Sequence, residues 1–93
     1  MGQSVRFYGD VSFMPLYWLC YRHNNQIAVV IEVGASLIHA RMRAAVAGLG
    51  EGAFTEGHEL DGKTEKRVPK AMIGRRLSQG EAQALLAKFA SKR

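Results

Sequence analysis

At 93 residues the chain has room for one small domain, and 47% hydrophobic with 23% charged residues is the composition of a folded protein, not a disordered one. The single cysteine excludes an internal disulfide, and a formal net charge of +5 directs attention to anionic partners. No apolar run approaches the roughly 18 residues of a membrane-spanning helix, so the expectation is a cytoplasmic protein with no membrane contact.

Residues 1–13 lack the basic-then-apolar order of a secretory signal. Arg6 stands where a myristoylation motif places Ser or Thr. They are read as an N-terminal extension and a candidate for disorder, with Met14 a second possible start and residues 14–93 as one domain. "LYWLCYR" and "QIAVVIE" are rich in aromatic and β-branched residues and predict two strands. Asn24-Asn25 between them suits a two-residue turn needing positive φ at both positions. With that pair central, Trp18 faces Ile31, Cys20 faces Val29 and Tyr21 faces Ala28. Both faces of the hairpin are apolar: Leu16, Trp18, Cys20, Ile27, Val29 and Ile31 on one, Tyr17, Leu19, Tyr21, Ala28 and Val30 on the other. A sheet wetted on one side alternates apolar and polar residues, so this hairpin demands cover on two sides.

Ser36 is a good N-cap for a helix over "LIHARMRAAVAGL", ended by Gly48 and Gly50. Ile38, Met42, Ala45, Val46 and Leu49 share one side at 100° per residue and are read as its core-facing stripe. Asp61-Gly62, between "FTEGHEL" and "KTEKRV", predicts a second, polar hairpin, with a loop as the alternative. "KAMIGRRL" predicts a strand starting after Pro69 or lying at an edge. Ser78 and Glu81 form a capping box opening a helix over "QGEAQALLAKFASK", whose apolar stripe is Ala82, Leu85, Leu86, Phe89 and Ala90. The expected fold is α+β: two antiparallel β-hairpins each followed by a helix (ββαββα), a small antiparallel sheet with two helices on one face.

"IGRRLSQGEAQALL" resembles the strand-to-helix segment in the C-terminal repeats of some type IA topoisomerases. The likeness spans about a sixth of the chain, and the paired zinc cysteines that often precede that segment are missing.

Catalytic chemistry has weak support. Cys20 and His23 are three apart on a strand and point to opposite faces, whereas a thiol nucleophile needs its base within hydrogen-bond reach. Cys20 reads as a buried small hydrophobe. Metal binding would need four ligands with close pairs, and His39 and His58 stand alone. The glycines form no phosphate-binding motif. No enzyme activity, cofactor or metal is therefore expected.

Charge offers more. Residues 47–62 carry a net −4 and residues 63–93 a net +7. Lys63, Lys66, Arg67, Lys70, Arg75 and Arg76 are candidate contacts to nucleic acid or another polyanion, including an acidic protein partner, if they share a surface. The alternative is a protein-interaction or homodimerising module using the hairpin 16–31, with Tyr17, Leu19, Tyr21 and Val30 as the candidate interaction surface.

Overall fold

The computed structural model describes residues 14–90. The N-terminal extension read in residues 1–13 lies outside the described residues, as do residues 91–93. Strands β1 (Leu16–His23) and β2 (Gln26–Val33) form the expected hairpin. Asn24 and Asn25 both adopt positive φ, 54° and 62°, the mirror-image turn whose twist matches that of the strands. Trp18 pairs with Ile31, Cys20 with Val29 and Tyr21 with Ala28, which is the register that turn dictates.

Helix α1 (Leu37–Val46) opens on Ser36, whose Oγ accepts the His39 N–H at 3.1 Å. It closes through Gly48 at φ 79°. The Gly48 N–H bonds Ala45 O at 3.0 Å and the Leu49 N–H bonds Ala44 O at 2.8 Å, a Schellman end. Strand β3 (Ala53–Glu59) then pairs antiparallel with β1, with a bulge opposite Cys20 and Tyr21. There the Thr55 hydroxyl donates to Cys20 O at 3.3 Å.

The second hairpin does not form. Asp61 caps a single helical turn, α2 (Gly62–Glu65), its Oδ1 accepting the Thr64 N–H at 2.7 Å. A lone Asp-Gly pair specifies a hairpin only when both flanks have a face to bury, and "KTEKRV" has none until Val68. Leu60 and Val68 are instead buried on the sheet, anchoring a segment that crosses from one edge to the other. The strand expected over "KAMIGRRL" is likewise corrected. A 3₁₀ turn at Lys70–Met72 and positive φ at Gly74 leave only β4 (Arg76–Leu77), paired antiparallel with β2. Helix α3 (Gln79–Ala90) follows from the expected capping box: the Ser78 N–H bonds Glu81 Oε1 at 3.0 Å and the Glu81 N–H bonds Ser78 Oγ at 3.2 Å.

The fold is α+β, with a four-stranded antiparallel sheet in the order β3-β1-β2-β4. The expectation of two helices on one face is overturned. α3 covers the face formed by Leu16, Trp18, Cys20, Val29, Ile31 and Leu77, burying Ala82 and Leu85 there. α1 covers the opposite face of Tyr17, Leu19, Tyr21 and Val30, burying Ala40 and Ala44. The reason lies in the hairpin, since two apolar faces cannot both be removed from water by helices on one side. Among the described residues no helix is long and apolar enough to cross a membrane.

Candidate functional site

The position of α1 is set by what lies beneath it. Tyr17 and Tyr21 fill the sheet surface, so the helix can approach only by presenting small side chains. Ala40 and Ala44, one turn apart, are both fully buried. Gly34 completes the close approach: a Cβ there would lie 2.7 Å from the Ala40 backbone nitrogen. With the alanines inward, Leu37 packs at the edge of this layer and the other large apolar residues of α1 turn outward. Ile38 is 68% exposed, Met42 60% and Val46 89%. Of the stripe read from the sequence as core, Ile38, Met42, Ala45 and Val46 therefore lie on the outer face, and Leu49 alone packs inward. Hydrophobic periodicity ranks Ile, Met and Val above Ala and cannot register that the surface below is already full. The signal that could have found it is small residues at positions 34, 40 and 44 above two tyrosines.

This outer face forms a ridge with a groove on each side. One groove, about 280 Å³, lies between Ile38, Met42 and Ala45 and the rings of Tyr21 and Phe54. The other, about 410 Å³, is lined by Met42, Val46 and Ala47 with His39, Arg43 and Glu32. Arginines border both. The Arg41 guanidinium lies 3.9 Å from the Phe54 ring centroid, a cation–π contact. Arg43 Nε donates to Glu32 Oε2 at 3.3 Å, holding a carboxylate that is otherwise buried. Below, burial pushes the Tyr21 phenol above its ordinary pKa, and the charges of Arg41 and Arg76 oppose that rise.

Tyr17, Leu19, Tyr21 and Val30, the residues proposed from the sequence as an interaction surface, are all buried beneath α1. The chain covers this face with its own helix, so these four side chains are interior and the hairpin presents no open apolar face through them.

Three of the six basic candidates are held by bonds at different places. Arg67 Nη1 donates to Lys88 O at 2.9 Å, which places Arg67 beside the last turn of α3, while Lys63 and Lys66 stand exposed on and just after α2. Arg75 is at the other end of that helix, bonded to Glu81 Oε2 at 2.7 Å. Arg76 donates to Leu49 O at 2.7 Å on the α1 side of the sheet. Along α3 the two anchor points, Glu81 and Lys88, lie about 10 Å apart. Lys70 stands exposed on the segment between Arg67 and Arg75.

Cys20 is buried against Val29 in the α3-side core. Burial pushes its thiol above the ordinary value, a hydrogen bond with the Trp18 side chain works against the shift, and the Glu56 carboxylate adds to it. A thiol so held is a poor nucleophile. His23 sits at the hairpin tip with Nε2 3.5 Å from Glu51 Oε2, and both border a cavity of about 590 Å³ beside the start of α3. The charged groups there already hold one another or the backbone: His23 with Glu51, Glu81 with Ser78 and Arg75, Arg76 with Leu49. His39 Nδ1 accepts the Ala35 N–H at 2.9 Å. Among the described residues no three His, Cys, Asp or Glu side chains come together as metal ligands would.

The chain matches no family model, no curated protein and no solved structure. The segment likened to topoisomerase repeats thus rests on its own residues, which here make β4 and the capping box of α3.

Proposed function

We propose that the chain is a non-enzymatic protein-interaction module whose contact face is the outer side of α1. One observation carries the reading: Ile38, Met42 and Val46, exposed in a row on one helix, form an apolar ridge flanked by cations. Single exposed apolar residues are ordinary, whereas three at one-turn spacing beside two grooves form a shape that another protein can fill. A reducing cytoplasmic setting belongs to the same proposal, and the lone, buried Cys20 supports it.

Site-specific photocrosslinking tests it. A photoreactive side chain at position 42, in cells producing the protein, should yield a discrete protein adduct. The same group at the exposed position 84 on α3 should not. An adduct of twice the chain mass identifies a homodimer. Equal, diffuse labelling at both positions refutes the reading.

Nucleic acid is the second reading, favoured by exposed Lys63 and Lys66 close in sequence to Arg67, which is bonded to Lys88 O at the end of α3. Salt-sensitive retention on a DNA or RNA matrix, lost in the Lys63→Glu/Lys66→Glu variant, supports it. Absence of retention at low salt removes it.

A further inference from the structure

We propose that the α1 face receives an acidic amphipathic helix from a partner protein. The inference rests on reading α1 as an interaction surface, and adds the chemistry of what binds there.

The ridge sets the shape of the occupant. Ile38, Met42 and Val46 follow one another at intervals of four, a straight row of about 12 Å along the helix. Such a row seats between side-chain rows of an apposed helix, which fall into the grooves on each side of Met42. A strand would instead seek unpaired backbone at a sheet edge. The long edge, β3, carries Glu56, Glu59 and a bulge, features that oppose strand addition.

Charge selects the occupant. α1 reads LIHARMRAAV and carries no carboxylate. Arg41 borders one groove and Arg43 the other, with His39 beside Arg43. The nearest acid, Glu32, is buried and already bound to Arg43. A second copy of this chain is therefore a poor occupant. In either twofold arrangement of α1 on α1, parallel or antiparallel, the flanking arginines meet only arginines. A partner helix with an apolar stripe bordered by Glu or Asp meets both demands. Each guanidinium has five donors, and internal contacts leave some of them for a carboxylate. Phe54, stacked on Arg41, fixes that guanidinium before the partner arrives.

The test uses the full chain and a defined probe: a synthetic peptide of about 18 residues, long enough to hold a helix, with a leucine stripe flanked by glutamates. A second peptide keeps the stripe and replaces every glutamate with lysine. The glutamate peptide should shift the methyl resonances of Ile38, Met42 and Val46 and bind at least tenfold tighter than the lysine peptide. Met42→Asp and Arg41→Gln should each weaken it tenfold or more, while Ala84→Asp on α3 leaves it unchanged. Val46→Asp, at the most exposed position, provides a second variant if Met42→Asp perturbs the fold. Equal affinity for both peptides, or binding of neither at millimolar concentration, overturns the proposal. So do contacts between the Met42 methyl and residues 1–13 in the free chain, or a dimer in sedimentation that Met42→Asp dissociates. If the glutamate peptide fails while position 42 still crosslinks to a protein, the acidic-helix assignment falls and the interaction surface stands. Failure of both removes both.

Discussion

Helices α1 and α3 cover opposite faces of one hairpin, yet they do so in opposite ways. α3 turns its larger apolar residues inward: Leu85 is buried, Phe89 packs edge-on against Trp18 at 5.9 Å, and only Leu86 faces out. α1 turns Ala40 and Ala44 inward, and Ile38, Met42 and Val46 outward. The sheet explains the difference. Under α3 the layer of Leu16, Trp18, Cys20, Val29, Ile31 and Leu77 receives Leu85 and the Phe89 ring from the helix. Under α1 two tyrosines occupy the layer beneath the middle of the helix, where close packing admits the methyl groups of Ala40 and Ala44, and Leu37 and Leu49 pack only at its ends. A helix can thus be an ordinary structural element on one side of a sheet and a displayed surface on the other.

The sharpest way to break this comparison is to empty the α3 side. Leu85→Ala should cost about 2–5 kcal/mol, the range for a buried leucine whose surroundings relax only in part. Denaturant unfolding followed by tryptophan fluorescence reads it through Trp18, the single tryptophan. The converse perturbation fills the α1 side. Ala44→Leu forces three extra carbons between the helix and the tyrosine layer and should cost about 1–3 kcal/mol. A neutral Ala44→Leu would show the α1 layer to be loosely packed and undo the account of why its large residues face outward.

These two helices also divide what the sequence reveals from what it conceals. The β1–β2 register is legible because Asn24-Asn25 tolerates positive φ and the flanking residues have a period of two. The capping residues Ser36 and Ser78 are legible because their chemistry is local. The apolar stripe of α3 is legible in part, since Ala82 and Leu85 bury and Leu86 does not. The orientation of α1 is not legible from its own residues, because it depends on the volume of Tyr17 and Tyr21 some twenty positions earlier. Asp61-Gly62 misleads for a related reason: the same Asp side chain serves a hairpin or a helix cap, and burial of Leu60 and Val68 decides between them. The face offered as an interaction surface and the face assigned to the core exchange places on this one rotation.

Acid sharpens the comparison at the helix starts. The backbone bond from Ser78 and the Arg75 guanidinium hold the Glu81 carboxyl below its ordinary range, against the opposing effect of desolvation. Its folded pKa is lowered, so its contribution is complete above the ordinary carboxylate value and is lost as pH falls through the lowered one. Amide exchange at residues 79–82 should accelerate over that window, and Glu81→Gln should flatten the dependence. The α1 cap is the Ser36 hydroxyl, which does not titrate. Unchanged acid sensitivity at residues 79–82 in Glu81→Gln would assign the effect to another group.

The smallest expected effect is the most telling for function. Val46→Gln replaces a branched apolar side chain that is 89% exposed with one of equal or better helix propensity. Nothing in the core is emptied and no buried polar group is created, so stability should stay within about 0.5 kcal/mol of the parent. Met42→Gln should behave alike. The corresponding change on α3, Leu85→Gln, places an amide in the core and should unfold the protein. A loss above about 1 kcal/mol in Val46→Gln, measured on the full chain by the same denaturant titration, would mean that the ridge is covered in the folded state. The free chain would then fill its own groove or pair with a copy of itself, and α1 would differ from α3 only in which neighbour buries it. A neutral result leaves the ridge open, as docking of a separate partner requires.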